Sequence, residues 1–247
     1  MRMRPVFAGL AALALSWAAP ALAQMQARVE RSGDAIVFDG RIHGRTADAF
    51  LQLLREDPAI RRLVITSQGG IVDAAIDMAE AIHARGLDVE VPSACFSSCA
   101  NYILPAARRK LLAAPGVVAW HGNMAHVLYM QQAGQQQLGD SVIEEARRLA
   151  RREAAFFRRI GVDDFICWFA KIPPYDVEDS FFLSVADMER FGLRDVTVRA
   201  DRADNTDRAG LAAGAGPRLV AVDWATLDAI RPVLRLLQST EIPRSGT

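Results

Sequence analysis

Ser97 lies between two cysteines in Cys95-Phe96-Ser97-Ser98-Cys99-Ala100, and His121 closes the apolar run Val117-Val118-Ala119-Trp120 downstream. Upstream, Gly69-Gly70 follows a second apolar run, Leu63-Val64-Ile65-Thr66, through Ser67 and Gln68. A hydroxyl, an imidazole and glycine backbone N–H groups are the parts needed to attack a carbonyl with a serine. In this arrangement Ser97 is the nucleophile, with Ser98 as its competitor, and either serine could instead cap the helix that follows. His121 is the base, since an unperturbed imidazole titrates near pH ~6.5; the alternative is a strand-end histidine bonded to backbone. The oxyanion donors are the N–H groups of Gly70 and Ser98, with Gly69 and Gly70 letting the backbone approach closely. A glycine pair in that place also suits a plain tight turn. His126 is a weaker candidate base, expected in a solvated loop. His43, His83, His121 and His126 show no ligand spacing with cysteine or acid, so neither a metal nor a cofactor is expected.

These residues need a scaffold that brings three chain segments together. Ala35 to Phe38 reads as a strand with a turn at Gly40. Thr46 to Arg55 reads as a helix, and Arg62 to Thr66 as a buried strand. Ile71 to Arg85 reads as a helix with an apolar face of Ile71, Ala75, Met78, Ala79 and Ile82, stopped by Gly86. A strand over 88–91, a helix over Ser97 to Leu104 and short strands over 110–112 and 117–120 follow. This alternation predicts an α/β domain with a largely parallel sheet. Gln131 to Gln137 reads as an exposed loop, and Asp140 to Ile160 as one long helix. Val142, Leu149, Ala150, Phe156 and Phe157 form the buried side of that helix. Glu144, Glu145, Arg147, Arg148, Arg151, Arg152 and Glu153 form its solvated faces, and the basic run reads as part of those faces, not as a nucleic-acid surface. A shorter helix is expected over Asp163 to Ala170, another over Val185 to Arg190, and a last strand over 195–198. Residues 200–217 read as a flexible linker, and 218–247 as a C-terminal helix and tail with a kink at Pro232.

The first residues point to a location. Arg2 and Arg4 precede an apolar stretch from Val6 to Trp17 and a small-residue site, Ala21-Leu22-Ala23. This is the pattern of a cleaved secretory signal over residues 1–23, with the mature periplasmic chain starting near Gln24. An uncleaved anchor is the alternative. The 29 basic and 29 acidic residues balance, so nothing favours nucleic acid as a partner. Three cysteines are too few for a disulfide scaffold. In an oxidising compartment Cys95 and Cys99 could pair, or stay as two buried thiols; Cys167 is expected in the core.

From about Leu63 to Asp195 the chain resembles the ClpP/crotonase superfamily, and within it the exported ClpP-like proteins that carry a Cys-x-Ser-x-Cys segment. The resemblance rests on Thr66-Ser67-Gln68-Gly69-Gly70, on Cys95 to Ala100, and on the strand ending in His121. Phe182-Leu183-Ser184 and Phe191-Gly192-Leu193 add to it. Two departures stand out: Gln68 replaces the family's proline, and Cys99 replaces its glycine two residues after the nucleophile. The resemblance implies a repeated β-β-α spiral in residues 24–199, with the long helix from Asp140 as the family's handle helix. It also implies a third catalytic member just before Phe181, where Ser180 aligns; Asp179 is the chosen acid, with Asp176 and Glu178 nearby. The implied activity is serine peptidase-like hydrolysis of a peptide or protein through an acyl-enzyme. The alternative is a catalytically silent protein of the same fold that binds peptides or a partner. An acyl-CoA enzyme is disfavoured by the compartment. Homo-oligomerisation is implied, and no partner ATPase is expected outside the ATP-containing compartment.

Overall fold

A computed structural model of the chain describes residues 27–114, 116–199 and 217–239. The expected signal segment lies outside these residues, as does the linker apart from its last residue, Pro217. The described chain is α/β with a mostly parallel sheet. The elements are β1 (Arg28–Ser32), β2 (Ala35–Asp39), α1 (Gly44–Glu56), β3 (Arg62–Thr66), α2 (Val72–Arg85), β4 (Asp88–Val91) and β5 (Ala94–Phe96). A π-helical turn, Cys99–Ile103, runs into α3 (Leu104–Ala106), followed by β6 (Lys110–Leu112) and β7 (Val117–Ala119). Then come α4 (Met124–Gln132), α5 (Asp140–Ile160), the 3-10 turns Asp164–Cys167 and Phe169–Lys171, β8 (Phe181–Phe182), α6 (Val185–Arg190), β9 (Val196–Val198), β10 (Arg218–Leu219) and α7 (Trp224–Ser239).

The main sheet has the order β1-β2-β3-β4-β6-β9, parallel except for the β1–β2 hairpin. Leu63 and Ile65 alternate inward along β3 and are fully buried. A second run of pairing lies beside it. Ser67 bridges Cys95, β5 pairs in parallel with β7, Trp120 bridges Phe181 in antiparallel sense, and β8 pairs with β10. This short second layer is what gathers the three candidate segments. Val220, Leu227 and Leu234 from the C-terminal segment share one apolar core with the sheet and helices.

Several expectations change. β1 was not expected, because its residues are mostly exposed and charged. Ile71 is 57% exposed instead of lying on the apolar face of α2, and Val142 is 50% exposed instead of being buried by α5. The helix expected from Ser97 starts only at Cys99, because Ser97 itself takes a left-handed φ of 55°. The expected 163–170 helix divides into two 3-10 turns, the first capped by Asp163. α4 occupies chain expected to be loop; its apolar residues are half-buried around the whole helix, which leaves no periodic face to read. Glu153, expected in water, is 1% exposed. Arg148 and Arg152 on α5 are paired with Asp73 and Asp77 on α2, so part of the basic run docks one helix on the other.

Candidate active site

Ser97 sits at a bend that residues outside glycine rarely adopt, since a left-handed φ crowds Cβ against the backbone. Local bonds hold it there. Its N–H donates to the Ala119 carbonyl at 3.1 Å, and its carbonyl accepts the Asn101 N–H at 2.8 Å. The Cys95–Cys99 disulfide is formed and spans the bend, with Cα atoms 5.1 Å apart and both cysteines fully buried. Cys167 is a free, buried thiol in the core.

The two serines differ. Ser98 is buried and its hydroxyl donates to the Gly70 carbonyl at 2.7 Å. Ser97 is half-buried, and its hydroxyl has no hydrogen-bond partner among the described residues. The glycine pair is wedged between two segments. Gly69 donates its N–H to the Ser67 hydroxyl at 3.0 Å and accepts from the Ile42 N–H at 2.9 Å. A Cβ on Gly69 would lie 2.7 Å from Ser97 Cβ and 2.8 Å from Ser98 N, so the turn presses directly on the bend. The N–H groups of Gly70 and Ser98 find no acceptor among the described residues. Gly70 is tied to Ser98 by the Ser98 hydroxyl, so undonated N–H groups are supplied by both segments that meet at the bend, the donor type an oxyanion requires.

The register of β5 on β7 sets Ser97 beside Trp120, one residue from His121. No hydrogen bond joins Ser97 to His121 among the described residues, as is common before substrate binds. His121 is an exposed residue whose ring is still packed closely enough for loss of hydration to lower its pKa. The Lys171 ammonium lowers it further, so the imidazole is neutral at pH 7. The Trp120–Phe181 bridge places Ser180 opposite His121. Asp179, Glu178 and Asp176 are exposed, and among the described residues no carboxylate is hydrogen-bonded to His121. Lys171 fills this neighbourhood instead, donating its Nζ to the carbonyls of Glu178 and, at 3.0 Å, Asp179.

Three residues at the site went unnoticed in the sequence. Asn101, four residues after Ser97, is buried and donates Nδ2 to the Gly122 carbonyl at 2.9 Å, which ties the nucleophile segment to the residue after His121. Lys171 carries no motif. Asn123 caps α4 by accepting the His126 N–H. His126 lies on α4, not in a solvated loop. Its ring stacks on Trp168 at 6.0 Å, and its Nε2 is buried without a hydrogen-bond partner among the described residues. Burial, with the charges of Lys171 and His121, pushes its pKa down to about 4. His43 precedes α1 and His83 lies on α2, away from this cluster in the chain. Among the described residues no group of three or more histidine, cysteine or acidic side chains is placed to hold a metal ion. No family model matches the chain, and no curated protein matches it.

Proposed function

We propose that the protein is a periplasmic serine hydrolase of the ClpP-like spiral type, acting on peptides or proteins through an acyl-enzyme on Ser97. The observation that carries this is the strained Ser97 bend flanked by the undonated N–H groups of Gly70 and Ser98. Neutral His121 takes the Ser97 proton as Oγ bonds to the substrate carbonyl carbon, and the carbonyl oxygen collects negative charge between the two N–H groups. Collapse of that intermediate expels the amine, which leaves with the proton from His121, and water then cleaves the ester by the same route. With Lys171 where a carboxylate would orient the imidazole, the machinery is a Ser97–His121 dyad, and Asp179 or Asp176 would join only by a movement of the 176–179 segment. A closed disulfide suits an exported protein.

That no carboxylate among the described residues is bonded to His121 favours a second reading, a silent peptide-binding protein of the same fold. A fluorophosphonate separates the two, since only an activated serine displaces its fluoride. Purified mature protein is expected to label, with label lost in Ser97→Ala and His121→Ala and kept in Ser98→Ala. A folded parent protein that takes no label in oxidising or reducing buffer favours the silent reading.

The disulfide gives a further expectation. Closing so short a loop contributes about 2 kcal/mol through the unfolded chain. It also opposes relaxation of Ser97 to an ordinary φ, a preference of about 1–2 kcal/mol. The Cys95→Ala/Cys99→Ala variant is therefore expected to unfold at lower denaturant and to label roughly ten-fold more slowly. Unchanged labelling would show that the hydrogen bonds to Ala119 and Asn101 suffice to hold the bend.

A further inference from the structure

We propose that Glu153 is a positioning residue of the site, its buried carboxylate tying the chain behind the nucleophile to the helix behind the histidine. Glu153 lies on α5, distant in sequence from both. It accepts a hydrogen bond from the Tyr102 hydroxyl, in the π-helical turn that follows Ser97. It also accepts the Met124 N–H, at 3.2 and 3.1 Å to its two oxygens, at the first turn of α4. α4 begins three residues after His121, and its cap, Asn123, accepts the N–H of His126. One carboxylate therefore holds both halves of the site from behind. The inference depends on the hydrolase proposal only for its effect on rate.

The tie depends on protonation. The groups facing Glu153 are the Tyr102 hydroxyl, the N–H groups of Met124 and Ala125, and Asp164 and Cys167 from the first 3-10 turn. The acids of α2 are engaged with arginines of α5 instead. An ionised carboxylate accepts from all three donors and complements the positive end of α4. A protonated one has a hydrogen of its own to donate. The two N–H groups cannot accept it; of the three donors only Tyr102 can, by reversing its bond, and the protonated oxygen is lost to α4 as an acceptor. Burial outweighs the three donors and pushes the Glu153 pKa up to about 7. Burial and the Lys171 ammonium hold His121 below its ordinary 6.5, so it protonates at lower pH than Glu153.

The test is the fluorophosphonate labelling rate of the purified protein between pH 5.5 and 8.5. The parent rate is expected to fall as pH drops through about 7, and again below 6.5 as His121 protonates. Glu153→Gln, the neutral isostere, is expected to label several-fold more slowly than the parent at pH 8 and to converge with it near pH 6. Tyr102→Phe removes a bond that lowers the Glu153 pKa and should move the upper limb above 7. A constant parent-to-Gln ratio at every pH, or identical profiles, overturns the proposal. The amide signals of Met124 and Ala125 in the parent supply a readout free of activity, with an expected midpoint at about 7. Amides that do not titrate there overturn the tie itself. Amides that titrate in a protein that takes no label leave the tie standing and defeat the hydrolase proposal.

Discussion

Gly70→Ala is expected to abolish fluorophosphonate labelling and to cost the fold about 3 kcal/mol or more. The backbone of Gly70 has φ +155°, and a Cβ there would lie 1.9 Å from the Ile42 carbonyl oxygen and 2.8 Å from its carbon. That carbonyl cannot swing aside freely, because it accepts the Ile71 N–H at 2.9 Å while the Ile42 N–H donates to the Gly69 carbonyl at 2.9 Å. Relieving the overlap means breaking this bridge, at about 1–3 kcal/mol for each polar group left unpaired. Strain at the backbone adds about 1–3 kcal/mol. Any shift also carries the Gly70 N–H away from Ser97, and loss of one oxyanion donor typically costs about 10²–10³ in rate. Gly33→Ala is the control: its φ is +60°, a Cβ would meet nothing within 4 Å, and the variant should lose about 1–2 kcal/mol with labelling intact. Denaturant unfolding and labelling rate, measured together, check all three. A Gly70→Ala protein labelled at the parent rate would remove this N–H from the oxyanion site.

Why some of the site was legible in sequence and some not follows from the range of each signal. Ser97, Gly69, Gly70 and His121 stand at ends of buried strands. Strand ends are readable because apolar runs such as Leu63-Val64-Ile65 break off sharply at small or polar residues. The same logic finds α2 and its Gly86 stop, where φ is 62°. Where pairing across the chain decides the structure, the sequence is silent. β8 and β10 are two residues each and exist only through each other and Trp120. Glu153 fits the polar pattern of α5 as well as Arg152 does, and only the arrival of Tyr102 and Met124 from distant segments makes its burial tolerable. Lys171 falls just past the expected 163–170 helix, with nothing in the sequence to link it to His121. The cysteine spacing left a disulfide and two thiols equally open, because the outcome depends on the bend at Ser97, which periodicity does not report.

Stability between pH 4 and 7 is expected to change less with pH in the parent protein than in two variants, whose slopes run in opposite directions. The folded-state pKa of Glu153 is raised from 4.5 to about 7. Its contribution is present in full below 4.5 and is lost as pH rises to 7, since the unfolded chain ionises first. His126 is the reverse: its folded-state pKa falls from 6.5 to about 4. Its contribution is present in full above 6.5 and is lost as pH falls to 4, since the unfolded chain protonates first. The two swings have opposite sign over the shared range, so they oppose one another. His121, also lowered, adds to the His126 side. The lowered carboxylates Asp73 and Asp88 act below 3.8, the exposed Glu30 and Glu145 below 4.5, at the acid edge of this window, and Lys110, lowered to about 8, acts above neutrality. Glu153→Gln should therefore gain stability steadily as pH rises from 4 to 6.5, and His126→Asn should lose it from 4.5 to 7. The slope, not the absolute stability, is diagnostic, because each substitution also removes packing or hydrogen bonds at every pH. Urea unfolding at half-unit pH intervals reads it directly. Parallel slopes in both variants would mean that the two buried groups do not titrate where their surroundings place them. Opposite slopes would establish that the helix carrying His126 is held between two opposed proton equilibria, one at its first turn and one in the ring stacked on Trp168.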